Sequence, residues 1–259
     1  MPSTTHDDEY SVTLCTSSAQ LRGACDVRIE VFVREQGFDL SDEIDQYDPL
    51  AAHFVLTRKN KPDVAIGTLR LLPYPLPIPK PDEPPAEPDH ASSFPLGGSR
   101  SESAIASDFI SAAWTHYPHP TSAARDPAQT KAEEKETEEQ MPEMGGAKLG
   151  RLALMKEARG KGLGNLLVTK AEAWLVQMLS SDEVAKQGAF GPRPSLKGPE
   201  HEAEAADEER LDSIIIKLSS QIYVIDFYKK LGYVPVGDRY DEDGAPHQLC
   251  YKKVFLSRS

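Results

Sequence analysis

Between Lys148 and Met178 the sequence changes period through a turn that leaves few choices of local structure. Lys148-Leu149-Gly150-Arg151-Leu152-Ala153-Leu154-Met155 reads as a buried strand. Apolar residues then recur at Leu163, Leu166, Leu167, Trp174, Leu175 and Met178, the spacing of an amphipathic helix. The join is Arg159-Gly160-Lys161-Gly162-Leu163-Gly164, basic and with glycine at every second place. Glycines leave their N–H groups unshielded, and a helix start adds partial positive charge where those groups converge. Strand, bare turn and helix N-terminus in that order predict a phosphate-binding corner.

Spacing narrows the ligand. A Walker loop needs G-x-x-x-x-G-K followed by Ser or Thr, and no such run occurs. A dinucleotide fingerprint needs G-x-G-x-x-G, whereas these glycines stand at 160, 162 and 164. Around the turn, residues 147–172 carry Lys148, Arg151, Lys156, Arg159, Lys161 and Lys170 against Glu157 and Glu172. That local positive field suits a polyanionic ligand.

The acidic balance of the whole chain, −12 over 259 residues, lies elsewhere. Residues 73–146 hold 13 acidic and 5 basic side chains, and 181–210 hold 8 and 4, so these two stretches carry all of it. Nine of the 21 prolines fall in 73–95, and 121–143 is nearly free of large apolar residues. Such segments bury too little apolar surface to offset their ordering entropy, so both read as mobile insertions. What remains, 10–72, 147–180 and 211–256, has the length of one ordinary domain, and a single domain over 1–259 is expected.

Cys15, Cys25 and Cys250 show no C-x-x-C spacing and no metal-ligand pattern; buried free thiols and no metal are expected. The N-terminus is polar and acidic rather than a signal peptide, and no apolar run has the length of a membrane span. The cytoplasm, or the nucleus, is the compartment these features suit. Nucleic-acid binding is not expected, because no basic groove with interleaved aromatic residues is present.

In chain order, Tyr10–Cys15 alternates like a strand, and Thr16-Ser17-Ser18 supplies helix-cap chemistry. Leu21, Cys25, Ile29 and Phe32 carry a helix to Glu35, and an acidic loop runs from Phe38 to Pro49. Ala52–Thr57 and Val64–Leu72 predict a hairpin across Lys59-Asn60-Lys61-Pro62. A helix is expected near Ala104–Trp114. After the second insertion, Ser213–Leu218 is a β-branched run and Gln221–Leu231 a helix stopped by Gly232. Tyr233–Val236 and His247–Phe255 close the chain across Asp241-Glu242-Asp243-Gly244. The fold class is α+β, helices flanking a mixed central sheet, with two long polar insertions.

Three blocks resemble a known family. Arg159-x-x-Gly-x-Gly is similar to the acetyl-CoA pyrophosphate loop of the GNAT N-acetyltransferase superfamily. Val31–Phe38 with Glu43–Asp48 and Ala52-His53-Phe54, and Phe227–Gly237 with Glu242–His247, resemble the two ends of its ElaA-like branch. Ala245 departs from the pattern, where a larger aliphatic residue is expected, and so do the insertions. The resemblance implies transfer of an acetyl group from acetyl-CoA to the primary amine of a small molecule, by direct attack in a ternary complex. It also leaves room for a protein or peptide acetyltransferase acting on lysine or an N-terminus, or for an acyl-CoA-binding module without turnover. Closing strands of this kind are associated with homodimers.

What the resemblance implies for single residues follows. Leu152, Ala153 and Leu154 would pair by backbone with the pantetheine arm. Arg159, Gly160, Lys161, Gly162, Leu163 and Gly164 would hold the pyrophosphate. Tyr228 would protonate the departing thiolate. His53 and His247 are the candidates for base or acceptor site, since both lie in family-like blocks and imidazole titrates near neutrality. Gln36, Glu43, Asp45 and Asp243 would line the acceptor site. For each of these side chains a place in a turn, a cap or the core is the competing reading.

Overall fold

A computed structural model describes residues 6–45, 47–74, 100–115, 145–180 and 213–256. The mobility expected of the insertions falls mostly outside these residues. The described chain divides into two compact units, 1–106 with 148–173 and 107–147 with 174–259. Two helices, α4 (Glu102–Thr115) and α5 (Leu163–Ser180), start in the first and end in the second.

In the first unit, α1 (His6–Glu9) leads into β1 (Tyr10–Leu14), and the strand order is β1-β2-β3-β4. β2 (Ala52–Arg58) and β3 (Lys61–Tyr74) are the expected hairpin, but its turn is tighter than the sequence suggested. Pro62 lies inside β3, at its exposed start, where a missing N–H does little harm. α2 (Ser18–Arg28) begins with a capping box: Gln20 N–H donates to Ser17 Oγ and Ser17 N–H to Gln20 Oε1. The helix then loosens into a π-helix over Ile29–Glu35, Gln36 N–H reaching back to Val31 O. Its buried stripe packs with Cys15 and Val55 around Leu21, Ala24 and Cys25, and again where Val27 and Val31 meet Ala153 of β4 (Gly146–Leu154). A short helix α3 (Leu40–Glu43), started by the Asp39 side chain, and a 3-10 turn Asp48–Leu50 complete the acidic loop.

In the second unit the strand order is β5-β7-β6. β5 (Ser213–Gln221) pairs antiparallel with β7 (Ala245–Phe255) along its whole length, and β7 with β6 (Val234–Glu242). Ile214, Ile215, Ile216 and Leu218 are buried, as a β-branched strand requires. α6 (Ile225–Lys230) follows a 3-10 turn at Ile222–Val224, a later helix start than the sequence suggested. Phe109 and Trp174 meet edge to face at 5.5 Å. All three cysteines are buried free thiols.

Gly146 opens β4 hard against β5: Ile215 N–H donates to Gly145 O, and a Cβ at Gly146 would stand 2.0 Å from Ile215 O. Backbone there cannot give way as a side-chain tip could. Gly146→Ala should therefore lower unfolding stability by about 1–3 kcal/mol, the range for overpacking a dense site. Gly150→Ala, with nothing within 4 Å of its Cβ, should stay within about 0.5 kcal/mol. Denaturant titration of both variants checks this; equal stabilities would contradict it.

Candidate active site

The predicted phosphate corner has the backbone it needs. After β4 a 3-10 turn (Lys156–Ala158) leads to Arg159, and Gly160 and Gly162 take φ of +72° and +73°. Left-handed backbone at two alternate places is what glycine permits and other L-residues resist. The turn from Arg159 to Gly162 is exposed, whereas Leu163 and Gly164 are buried as α5 begins. The first N–H groups of α5 have no intrahelical acceptor, so they are available to an anion lying over the turn.

The basic side chains of the turn serve mainly to shape it. Arg159 Nε donates to Leu154 O at 2.8 Å and Nη2 to Glu35 Oε2 at 2.7 Å, tying the turn to the end of the π-helix. Lys161 Nζ donates to Glu157 O at 2.6 Å. Backbone amides of the turn, with the N–H groups that Arg159 and Lys161 keep unused, are the donors a phosphate could meet. Upstream, Met155 N–H bonds to Ile66 O, Ala153 is buried, and Leu152 and Leu154 are half-buried.

The acidic loop holds the feature that the sequence reading missed. Arg28, fully buried, donates through Nε to Glu43 Oε1 at 2.5 Å and grips Asp48 with both terminal nitrogens, at 2.8 and 3.1 Å. Its Nη2 also donates to Glu43 O. Arg70 donates to both oxygens of Asp45 at 2.9 Å and to Asp48 Oδ1 at 2.7 Å. Arg151 reaches in from β4, donating to Asp42 O at 2.9 Å and lying 3.3 Å from Glu43 and 3.7 Å from Asp45. Three guanidinium groups thus meet three carboxylates. Burial alone would raise the Asp48 carboxyl, but Arg28 and Arg70 hold it well below the usual carboxylate range. A charge at Arg28, on the apolar stripe three residues beyond Cys25, was the available signal.

These contacts change what Glu43, Asp45 and His53 can do. The two carboxylates are already compensated by arginine, so a cationic acceptor finds little net charge there. His53 pairs with Arg70 across β2 and β3, and its Nε2 donates to Asp48 O at 3.0 Å. Burial pushes its pKa down to about 4. A neutral imidazole sealed at 2% exposure is a poor proton acceptor at neutral pH. Gln36 stands at the end of the π-helix.

The remaining predicted residues lie in the second unit. Tyr228 is buried on α6, edge-on to Phe227 at 5.0 Å and Tyr233 at 5.7 Å. Burial raises its phenol pKa, so it stays protonated throughout the physiological range. His247 donates from Nδ1 to Ala245 O at 2.9 Å and stacks near Tyr240, leaving Nε2 with a lone pair. Tyr240 lies 2.6 Å from Ser219 Oγ, which also donates to Glu242. Asp243 occupies the exposed tip between β6 and β7, with φ +55° beside Gly244 at +77°. That is the backbone of a tight hairpin turn, which accounts for aspartate there.

Residues 27–77 match the family model described as an acetyltransferase (GNAT) domain. No curated protein matches the chain. Solved structures similar to it include a proposed N-acetyltransferase from Lactobacillus plantarum (21% identity, 95% of this chain and 98% of that one, TM-score 0.48). Escherichia coli ElaA is 17% identical, over 94% and 98% of the two chains, with TM-score 0.45. An acyl-CoA N-acyltransferase from Pseudomonas aeruginosa is 18% identical, over 94% and 98%, with TM-score 0.44. Among the described residues, no group of three or more His, Cys, Asp or Glu side chains could hold a metal, and no helix is long and apolar enough to cross a membrane.

The His53 environment carries a pH signature. Its folded pKa of about 4 lies below the ordinary 6.5, so between those values the unfolded chain binds a proton that the folded chain refuses. This stabilisation is complete above pH 6.5 and is lost as pH falls toward 4, about 3 kcal/mol in all. Urea unfolding at stepped pH should show the loss in the native protein and a flatter profile in His53→Gln. Parallel profiles would contradict it.

Proposed function

We propose that the chain is an N-acetyltransferase, taking the acetyl group from acetyl-CoA and placing it on the primary amine of a small molecule by direct attack in a ternary complex. The observation that carries this is the exposed turn at Gly160 and Gly162, whose two left-handed glycines and helix start offer backbone donors to a diphosphate. Arg159 and Lys161 brace the turn through Leu154 O, Glu35 and Glu157 O, and the turn itself is open to an incoming ligand. The adjoining Leu152, Ala153 and Leu154 are the backbone on which a pantetheine arm would pair as an added strand.

An alkyl ammonium has a pKa near ~10.4, so roughly one amine in 10³ is nucleophilic at neutral pH. The protein must therefore take a proton from the acceptor and give one to the leaving thiolate. Tyr228 suits the second task, since burial keeps its phenol protonated. His247 Nε2, with its tautomer set by the Nδ1 bond to Ala245 O, suits the first, directly or through water. His53 is better read as a positioning residue beneath the acidic loop. A homodimer and a cytoplasmic or nuclear setting belong to the same reading.

Thiol release from acetyl-CoA in the presence of a panel of primary amines tests the activity. Tyr228→Phe should lower kcat about 10²-fold, within the range of one general acid, while KM for acetyl-CoA changes less than about twofold. Full turnover in that variant would remove Tyr228 from the chemistry.

A further inference from the structure

We propose that Arg151 recognises an anionic group on the acyl acceptor, and that this acceptor is an amine bearing a carboxylate, an amino acid in the simplest case. The inference rests on the acyltransfer reading and names its substrate class.

The three arginines of the buried network are unequally matched. Arg28 uses every guanidinium nitrogen on Glu43 and Asp48. Arg70 uses both terminal nitrogens on Asp45 and Asp48, yet its buried Nε has no hydrogen-bond partner. Arg151 is the least satisfied. Its Nη2 donates to a single carbonyl, Asp42 O; its buried Nε meets Glu43 only as a 3.3 Å ion pair without hydrogen-bond geometry. Buried arginine donors are ordinarily hydrogen-bonded, so Arg151, whose Nη1 donates to nothing among the described residues, keeps donor capacity that an outside acceptor could use.

Access and backbone single out the same residue. The Arg151 side chain is 28% exposed, against 0% for Arg28 and 6% for Arg70, so a ligand can reach it from solvent. Arg151 also has φ +51° inside β4, a left-handed conformation that is strained for a residue with a Cβ. Such strain persists only where the surroundings impose it, and here it directs a guanidinium into the carboxylate network. Burial lowers the Arg151 pKa; Glu43 opposes this, while Arg70 and Arg28 add to it. An anion reaching the open side of Arg151 would favour its charged form.

Position then joins recognition to chemistry. Arg151 immediately precedes Leu152, Ala153 and Leu154, the backbone proposed for the pantetheine arm. A carboxylate held at Arg151 brings the amine of the same molecule to the strand on which the thioester would lie. A carboxylate is favoured over a phosphate because the free donors are few, and a phosphate dianion presents three oxygens to satisfy. No covalent step beyond the proposed acetyl transfer is required.

Each L-amino acid compared with its own carboxamide, in the acetyl-CoA thiol-release assay, isolates the anionic charge. For the best-used side chain kcat/KM should favour the acid by about 10- to 100-fold, the range for one charge-assisted hydrogen bond. The amide's amine is the less basic, so intrinsic reactivity at neutral pH runs the other way. Arg151→Gln should bring the ratio near one by raising KM for the acid, and Arg151→Lys should restore part of it. CoA calorimetry on each variant reports that it is folded. Amides used as well as acids, or a preference that survives Arg151→Gln, would overturn the inference and leave acyl transfer standing. Thiol release with neither series but with other primary amines would overturn this inference alone; release with no amine of any class would overturn the acyltransfer reading, and this inference with it.

Discussion

The packing of the first unit depends on keeping charge balanced out of water. Arg28 lies on the inner stripe of α2, where an unpaired guanidinium would cost several kcal/mol. Glu43 and Asp48 are brought to it from the acidic loop, and Asp48 is shared with Arg70 on β3. One network therefore fastens a helix, a loop without long secondary structure and a central strand to each other. Removing Arg28 or Asp48 would leave buried, unmatched charge, so the network ties the loop to the helix and strand it contacts.

Against that balanced interior, the turn after β4 is deliberately open. Its basic side chains are tied to Leu154, Glu35 and Glu157, and its glycines hold the backbone in a left-handed path. Side chains thus set the shape of an exposed turn at a helix start, an arrangement suited to an oxyanion-rich ligand. The same strand carries Arg151, so β4 connects the phosphate corner to the buried network within a few residues. On the proposed reading, the cofactor and acceptor sites would be neighbours along one strand.

Local features were the ones legible in the sequence. Glycine spacing at 160, 162 and 164 fixed the turn, Ser17 the helix start, and the run Ile214-Ile215-Ile216 a buried strand, because each acts over a few neighbouring residues. The π-helix at Ile29–Glu35 was read as ordinary helix, since a shift to a wider hydrogen-bond ring leaves no mark on apolar spacing. Pro62 suggested a turn and proved to be the exposed start of a strand. The ion network was invisible for a different reason: Arg28, Arg70 and Arg151 converge from three distant segments. Glu43 and Asp45 were noticed as acids, but their partners were not, so they were read as free to bind a cation. Asp243 was noticed for its block and is accounted for by its turn.

The central claim is that the backbone turn at residues 159–164 binds the diphosphate of coenzyme A. Isothermal titration with CoA, set beside pantetheine, which lacks the diphosphate and nucleotide, tests it most directly. Saturable micromolar binding of CoA, with pantetheine weaker by about two orders of magnitude or more, is the predicted result. Folded protein that takes up no CoA, or that binds pantetheine equally well, would contradict it.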